Sequence, residues 1–214
     1  MKRAFAVFLT TIGLTASLAH GQSNLLTNGD FNDPSSAAPP TAWTLWTYGG
    51  GWANHQNDAS SDDGTYYMAD GGNSSAGGGE YQIVPGIAGD QYTLTVDSGA
   101  QAWWLPYGEM RLFFLDASSN QLSESFLATV DPAVYGNNYD IPHPWSNFTV
   151  TAVAPINTAL VKVEFAEPNG TGTVWFDNAD LEMVPEPGTL VLVAGSLVTL
   201  LGYRFRRGKR CGGH

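Results

Sequence analysis

The chain has 214 residues, with 20 Asp and Glu against nine Lys and Arg, and a net charge of −11 at neutral pH. Seven of the nine basic residues lie in residues 1–21 or 184–210, whereas 19 of the 20 acidic residues lie in residues 22–183. That central region therefore carries a net charge of −17. Such a charge excludes nucleic-acid binding by phosphate neutralisation and docking on anionic lipid through a basic patch.

The central region is long enough for one domain with its own hydrophobic core. The single cysteine, Cys211, lies in the basic C-terminal tail. Because no second cysteine exists, the domain has no internal disulfide, and its stability must come from the core and from any bound metal.

The first 21 residues have the form of a secretory signal. Two basic residues at positions 2 and 3 precede an apolar run over residues 4–19, which is the usual order of a signal peptide. Small residues at Ala19 and Gly21 fit cleavage before Gln22, and cleavage after Ala19 also fits. An N-terminal membrane helix is the alternative, but the run contains Thr and Gly and ends at small residues.

Residues 22–183 alternate between short β-type segments and glycine-rich turns. Apolar and polar residues alternate over 92–96, 148–152 and 161–165, which is typical of strands buried on one face. Residues 111–115 are nearly all apolar and predict a strand covered on both faces. No helical periodicity is sustained outside the two terminal segments. The sequence therefore predicts an all-β sandwich.

The order of the sequence blocks resembles the galactose-binding-like jelly rolls, in particular the family 4/9-type carbohydrate-binding modules. The resemblance covers nearly all of residues 24–181. It implies a jelly-roll β-sandwich, a fold that carries glycan binders, structural modules and enzyme appendages alike. The blocks that carry it are 24–32, Trp43, 64–67, 81–87, 89–94, 145–150 and 174–181.

The resemblance also implies a structural Ca²⁺ site that joins the two ends of the domain. An acidic residue after the opening motif and an Asp in the closing strand hold the ion in the resembled modules. Here Asn32 replaces the opening acid, Asp30 lies nearby and Asp177 lies in the closing strand. Calcium accepts amide and carbonyl oxygens as well as carboxylates. The alternative is that these side chains are polar residues of a turn and a strand edge.

Aromatic residues in loops are the candidates for glycan contact, because sugar rings stack on flat aromatic side chains. One group contains Trp46, Tyr48 and Trp52, beside a glycine-rich turn, and the other contains Trp103, Trp104 and Tyr107. Burial in the core is the alternative, since aromatic side chains bury large areas. Trp43 and Trp145 are expected to pack in the core.

Catalysis has little support in the sequence. Residues 22–183 contain two histidines and lack the serine-hydrolase elbow, the zinc-protease motif and the phosphate-binding loop. We therefore expect no enzyme activity. A polysaccharide hydrolase or lyase that uses two carboxylates is the alternative.

The C-terminal segment, residues 184–210, has three parts. Pro185, Glu186 and Pro187 precede an apolar run over 189–203, and a basic tail over 204–210 follows. This order resembles the PEP-CTERM sorting signal. The resemblance implies processing by an exosortase-type protease, with the chain held in the inner membrane by a single transmembrane helix until then. An ordinary membrane anchor is the alternative.

These features together predict a protein exported to the bacterial cell envelope, outer surface or extracellular matrix. Its jelly-roll domain is expected to bind carbohydrate, such as exopolysaccharide, without catalysis. A structural or adhesive surface protein, stabilised by calcium and without a glycan ligand, is the second hypothesis.

Overall fold

The computed structural model describes residues 23–32, 39–56, 66–72, 75–101, 106–130, 143–168 and 171–184. The predicted signal peptide and the predicted sorting segment from 185 onward lie outside these residues. The described residues contain no helix, and thus no helix able to cross a membrane. They form ten strands: β1 Thr44–Tyr48, β2 Trp52–Gln56, β3 Tyr67–Gly72, β4 Gly77–Pro85, β5 Gln91–Ala100, β6 Gly108–Leu115, β7 Gln121–Val130, β8 His143–Val153, β9 Leu160–Glu167 and β10 Gly172–Val184.

The strands form two five-stranded sheets. The first has the order β1-β4-β9-β6-β7, and the second has the order β2-β3-β10-β5-β8. The strand pairs with assigned register are all antiparallel. The chain passes from one sheet to the other at every connection except β2–β3 and β6–β7. The predicted all-β jelly-roll sandwich is confirmed.

The core lies between the sheets and uses the inward half of each alternating pattern. Tyr92, Leu94 and Val96 of β5 are fully buried, and so are the inward residues of β9 and β6. Phe165 of β9 stacks on Phe176 of β10 with 5.3 Å between ring centroids, so the two sheets meet through aromatic rings. Each such buried side chain contributes roughly 1.5–3 kcal/mol by leaving water.

Trp43 belongs to this core, as predicted. Its side chain is 4% exposed, its ring lies 5.7 Å from that of Phe165, and its indole Nε1 donates to the carbonyl of Asn28 at 2.9 Å. The last contact satisfies the one polar atom of a buried tryptophan. It also ties the opening segment to the sandwich.

The opening segment lies along the closing strand. The amide of Leu25 donates to the carbonyl of Leu181 at 2.9 Å, and the amide of Ala179 donates to the carbonyl of Gly29 at 2.8 Å. The side chain of Asn24 bridges the same strand, since it donates to the Ala179 carbonyl and accepts from the Leu181 amide. The first and last described segments of the domain are therefore neighbours.

Candidate functional site

The first sheet has an outer face that points away from the core, which we call face A. Backbone register arranges its residues in rows that run across β1, β4, β9 and β6. One row is Trp46, Gly79, Ala166 and Glu109, and the next is Thr44, Tyr81, Glu164 and Arg111. At a strand spacing of about 4.8 Å, Trp46 and Glu109 are separated by about 14 Å of small side chains.

Trp46 lies against the sheet where a glycine gives it room. A Cβ on Gly79 would lie only 2.8 Å from Cζ2 of Trp46, and a Cβ on Gly77 would lie 3.0 Å from Cε1 of Tyr48. The two rings are nearly parallel, with an interplanar angle of 7° and centroids 6.0 Å apart. Trp46 is half-buried and Tyr48 is 43% exposed. The glycines of β4 thus set a pair of aromatic rings on face A.

Face A also holds both basic residues of the domain. Arg111 pairs with Glu109, with its Nε 2.6 Å from the carboxylate, and lies 3.7 Å from Glu164. Lys162 lies 2.5 Å from Glu164. The carboxylates of Glu109 and Glu164 are nearly buried, with side chains 9% and 7% exposed. Pairing therefore holds two carboxylates in place on the same face of the sheet as the aromatic pair.

Lys162 also lies over two aromatic rings. Its Nζ is 4.7 Å from the ring centroids of both Tyr81 and Phe113. Cation–π contacts of this kind contribute roughly 0.5–1 kcal/mol at exposed sites. Phe113 is buried on the outer side of β6, which confirms that residues 111–115 form a strand covered on both faces.

The indole Nε1 of Trp46 is the unusual polar atom of this face. It is buried and has no hydrogen-bond partner among the described residues. An indole nitrogen can only donate, and a buried donor without an acceptor costs free energy. An oxygen supplied by a ligand that reaches this position would remove that cost.

The second sheet has its own outer face, which we call face B and which carries Trp52, Tyr67, Trp145 and Trp175. Trp52 packs over Gly71, where a Cβ would lie 2.4 Å from its Cε2. Trp145 and Trp175 stack with centroids 5.9 Å apart, and both contact the ring of Tyr67 edge-on. Trp145 was expected in the core. Instead, the inward positions of β8 belong to Phe148, Val150 and Ala152, and Trp145 packs on the outside of the sandwich.

The candidate aromatic residues are therefore divided between the two faces. Trp46 and Tyr48 lie on face A, whereas Trp52 lies on face B because the turn after β1 carries the chain to the other sheet. Tyr107 is half-buried just before β6. Trp103 and Trp104 lie outside the described residues. Tyr67 and Trp175 were not among the candidates. Trp175 lies between the inward residues Val174 and Phe176 and so faces outward.

The predicted calcium ligands lie at two depths. Asp30 and Asn32 are exposed in the opening turn, where the Asn32 amide donates to the Asp30 carboxylate at 3.2 Å. Asp177 is fully buried in β10 and accepts from the backbone amide of Asn178 at 2.7 Å. The opening turn does reach β10, at Ala179. Across the described ranges, no three His, Cys, Asp or Glu side chains are grouped as metal ligands.

A pair of carboxyl groups inside the sandwich has no counterpart in the sequence analysis. Asp70 of β3 and Glu80 of β4 are fully buried. Their carboxyl groups lie within hydrogen-bonding reach of each other, and no N–H or O–H group of the described residues donates to either. Burial raises the pKa of both groups well above their usual range. The charge of Asp70 raises the pKa of Glu80 further, and the charges of Glu167 and Glu164 raise the pKa of Asp70.

An open cleft of about 520 Å³ lies at the end of the sandwich where β10 finishes. Its lining is mostly aliphatic and includes Leu25, Ile83, Ile87 and Met183, with the amide of Gln82 as one polar group. It contains no aromatic ring or carboxylate. Such a lining lacks the stacking surface and the polar groups that sugar rings require, so face A and face B remain the better candidates.

No family model matches the chain, and no curated protein matches it. Solved structures with the same fold exist. A cyclase from Fischerella sp. TAU is 18% identical over 76% of this chain and 98% of its own, with a TM-score of 0.55. The CBM22-1 xylan-binding domain of Paenibacillus barcinonensis Xyn10C is 11% identical over 77% and 96%, with a TM-score of 0.52.

The enzymatically active domain of tailspike protein 4 of bacteriophage CBA120 is 15% identical, with a TM-score of 0.55. It is matched over 75% of this chain, which spans only about a fifth (21%) of the tailspike chain. At these identities the comparisons establish the fold alone. The chain contains a jelly-roll β-sandwich of the architecture found in carbohydrate-binding modules.

Proposed function

We propose that the domain binds carbohydrate through face A and does so without catalysis. The observation that carries the proposal is the Trp46 ring, held over Gly79 with an unpartnered buried Nε1. The Glu109 carboxylate lies in the same row and the Glu164 carboxylate in the next. A sugar ring has an apolar C–H face and a rim of hydroxyl groups. Face A offers an aromatic ring for the first and acceptors at Glu109 and Glu164 for the second.

Trp46 is the residue whose loss tests this proposal. Trp46→Ala is expected to weaken polysaccharide binding at least tenfold, because stacking of a sugar on the ring and any hydrogen bond from Nε1 are both lost. Affinity electrophoresis against a panel that includes xylan, galactan and bacterial exopolysaccharide measures the change.

Trp52→Ala is the matched control, because Trp52 also packs over a glycine but lies on face B. Its binding is expected to stay within twofold of the unchanged protein. Loss of binding in Trp52→Ala with retention in Trp46→Ala would move the site to face B. If the unchanged protein binds no polysaccharide of the panel, the structural or adhesive alternative is favoured. If the protein releases reducing ends from a polysaccharide, the hydrolase or lyase alternative is favoured.

Gly79 provides a second test of the same surface without removing an aromatic ring. The Cβ of Gly79→Ala would lie 2.8 Å from the Trp46 ring and 2.5 Å from the backbone carbonyl oxygen of Phe165, so we expect binding to fall severalfold together with a loss of thermal stability. Gly71→Ala, which displaces Trp52 on face B, is the control. Isothermal titration with the polysaccharide found in the first experiment, beside a melting curve for each variant, separates lost binding from lost folding.

We propose further that the chain reaches the envelope or extracellular matrix through its terminal segments. The N-terminal signal, the Pro185-Glu186-Pro187 motif, the apolar run 189–203 and the basic tail support export followed by exosortase-type processing. Replacing Pro185, Glu186 and Pro187 by alanine is expected to leave the unprocessed chain in the inner-membrane fraction. Immunoblots of membrane and secreted fractions measure the change in size on processing. If the segment is an ordinary anchor, the unchanged protein and the alanine variant would both stay unprocessed in the membrane.

A further inference from the structure

One end of the sandwich interior holds three carboxyl groups. The cluster is formed by Asp70 of β3, Glu80 of β4 and Glu167 of β9, all fully buried. Asp70 shares its side of β3 with the core residue Met68, and Glu80 shares its side of β4 with Gln82 and Val84, which are also buried. Asp70 and Glu80 therefore face each other from opposite sheets.

No lysine or arginine side chain lies in this cluster. Arg111 and Lys162 are the only Lys or Arg in residues 22–183, and both lie on face A with Glu109 and Glu164. Buried carboxylates in proteins are normally paired with a cation or coordinated to a metal. A proton shared between Asp70 and Glu80 neutralises only one of their two charges, and Glu167 adds a third negative group nearby.

The surroundings of the pair are rich in oxygen. A Cβ on Gly72 would lie 2.3 Å from the carbonyl oxygen of Ala76 and 2.8 Å from Oε2 of Glu167, so both oxygens lie beside the backbone two residues after Asp70. Calcium binds six to eight oxygens at about 2.3–2.6 Å and accepts carboxylates, backbone carbonyls and water.

We propose that Asp70 and Glu80 form an interior binding site for a divalent cation of the calcium type, completed by backbone carbonyls of the glycine-rich turns and by water. Because the described residues group no three acidic or histidine side chains as ligands, the site is a two-carboxylate clamp, with Glu167 contributing charge close by. The ion would join β3 of one sheet to β4 of the other. This site is separate from the one expected at Asp30, Asn32 and Asp177, and it does not depend on carbohydrate binding.

The test is a calcium titration of the purified full-length chain, followed by thermal unfolding. After removal of metals with a chelator, calcium chloride is expected to raise the Tm by about 5–10 °C once calcium exceeds its dissociation constant a hundredfold. Glu80→Gln and Asp70→Asn are each expected to abolish this shift. Asp30→Asn, which alters the surface turn at the other predicted site, is the control and is expected to keep it.

Bound calcium per chain, measured by elemental analysis after dialysis, gives a second readout that does not depend on the stability of a variant. One calcium lost in both Glu80→Gln and Asp70→Asn but kept in Asp30→Asn supports the interior site. The proposal is overturned if calcium does not shift the Tm of the unchanged protein. It is also overturned if Glu80→Gln binds calcium as well as the unchanged protein, or if Asp30→Asn alone loses the ion.

Discussion

Replacing Glu80 by glutamine is expected to stabilise the metal-free protein at pH 7.5 by about 1–3 kcal/mol, the usual cost of a buried polar group without a partner. Glu80 and Asp70 face each other in the interior with no donor from the described residues. A glutamine amide fits the same space and can donate to the Asp70 carboxylate. Urea unfolding in a chelating buffer measures the difference in the free energy of unfolding.

The same change is expected to flatten the dependence of stability on pH. Because burial raises the pKa of both carboxyl groups in the folded state, the folded protein holds protons that the unfolded chain releases near pH 4. The free energy of unfolding of the unchanged protein therefore falls as the pH rises from about 4 through the raised values. Glu80→Gln removes one of the two groups, so part of that fall should disappear, whereas the part due to the burial of Asp70 should remain.

Glu182→Gln is the control for this experiment. Glu182 lies exposed on β10 and acts only on the pKa of the partly exposed Asp180, which its charge raises, so its replacement is expected to change the slope of stability against pH only slightly. Parallel curves for Glu80→Gln and the unchanged protein over pH 4–9 would show that the interior pair carries no excess proton. Stabilisation in chelator, combined with loss of the calcium response, would make Glu80 a residue retained for an ion at a cost in intrinsic stability.

The strands of the core could be predicted because their signal is local. Tyr92, Leu94 and Val96 alternate with polar residues, and this period of two places them on one face regardless of their partners. The same alternation holds over residues 161–165, where Val161, Val163 and Phe165 are buried. The jelly-roll topology was predicted from the order of the sequence blocks along the chain, because local patterns alone do not specify how strands are connected.

The grouping of the aromatic residues could not be predicted, since it depends on which sheet each strand joins. Trp46 and Trp52 are six residues apart in sequence but lie on the outer faces of different sheets, because the chain crosses between sheets after Tyr48. The glycines beneath them had been interpreted only as turn residues. In the fold, Gly71 and Gly79 lie within strands, where the missing side chain makes room for an indole.

The interior carboxyl pair was missed for a related reason. Acidic residues in a strand usually face water, so the sequence predicts no interior position for Asp70 and Glu80. Their inward direction follows from even spacing along each strand, because Asp70 lies on the same side of β3 as Met68 and Glu80 lies on the same side of β4 as Val84. Their proximity to each other, however, depends on how the two sheets pack against one another, and no pattern within either strand predicts that packing.

Replacing Arg111 by methionine is expected to destabilise the domain by about 2–3 kcal/mol at neutral pH. Arg111 contacts Glu109, Glu124 and Glu164, and its loss leaves two nearly buried carboxylates with less compensation. Removing one partner of a buried ion pair costs about 3–5 kcal/mol. The expected value is lower because the Arg111 side chain is 27% exposed and water screens part of the interaction. Methionine keeps the aliphatic stem, so packing on face A is retained.

Three comparisons identify the unpaired carboxylates as the cause. Lys162→Met removes a partner of Glu164 but leaves Arg111 in place, so its cost should be about 1 kcal/mol, as for a partly exposed pair. Adding Glu109→Gln to Arg111→Met should recover stability, because the amide carries no charge to be left unpaired. The difference between Arg111→Met and the unchanged protein should also shrink towards pH 3, where glutamates as a class are protonated. A penalty that persists at pH 3, or that Glu109→Gln does not reduce, would mean that Arg111 acts through packing. In that case, the carboxylates of face A would not depend on Arg111 to stay in place for a sugar.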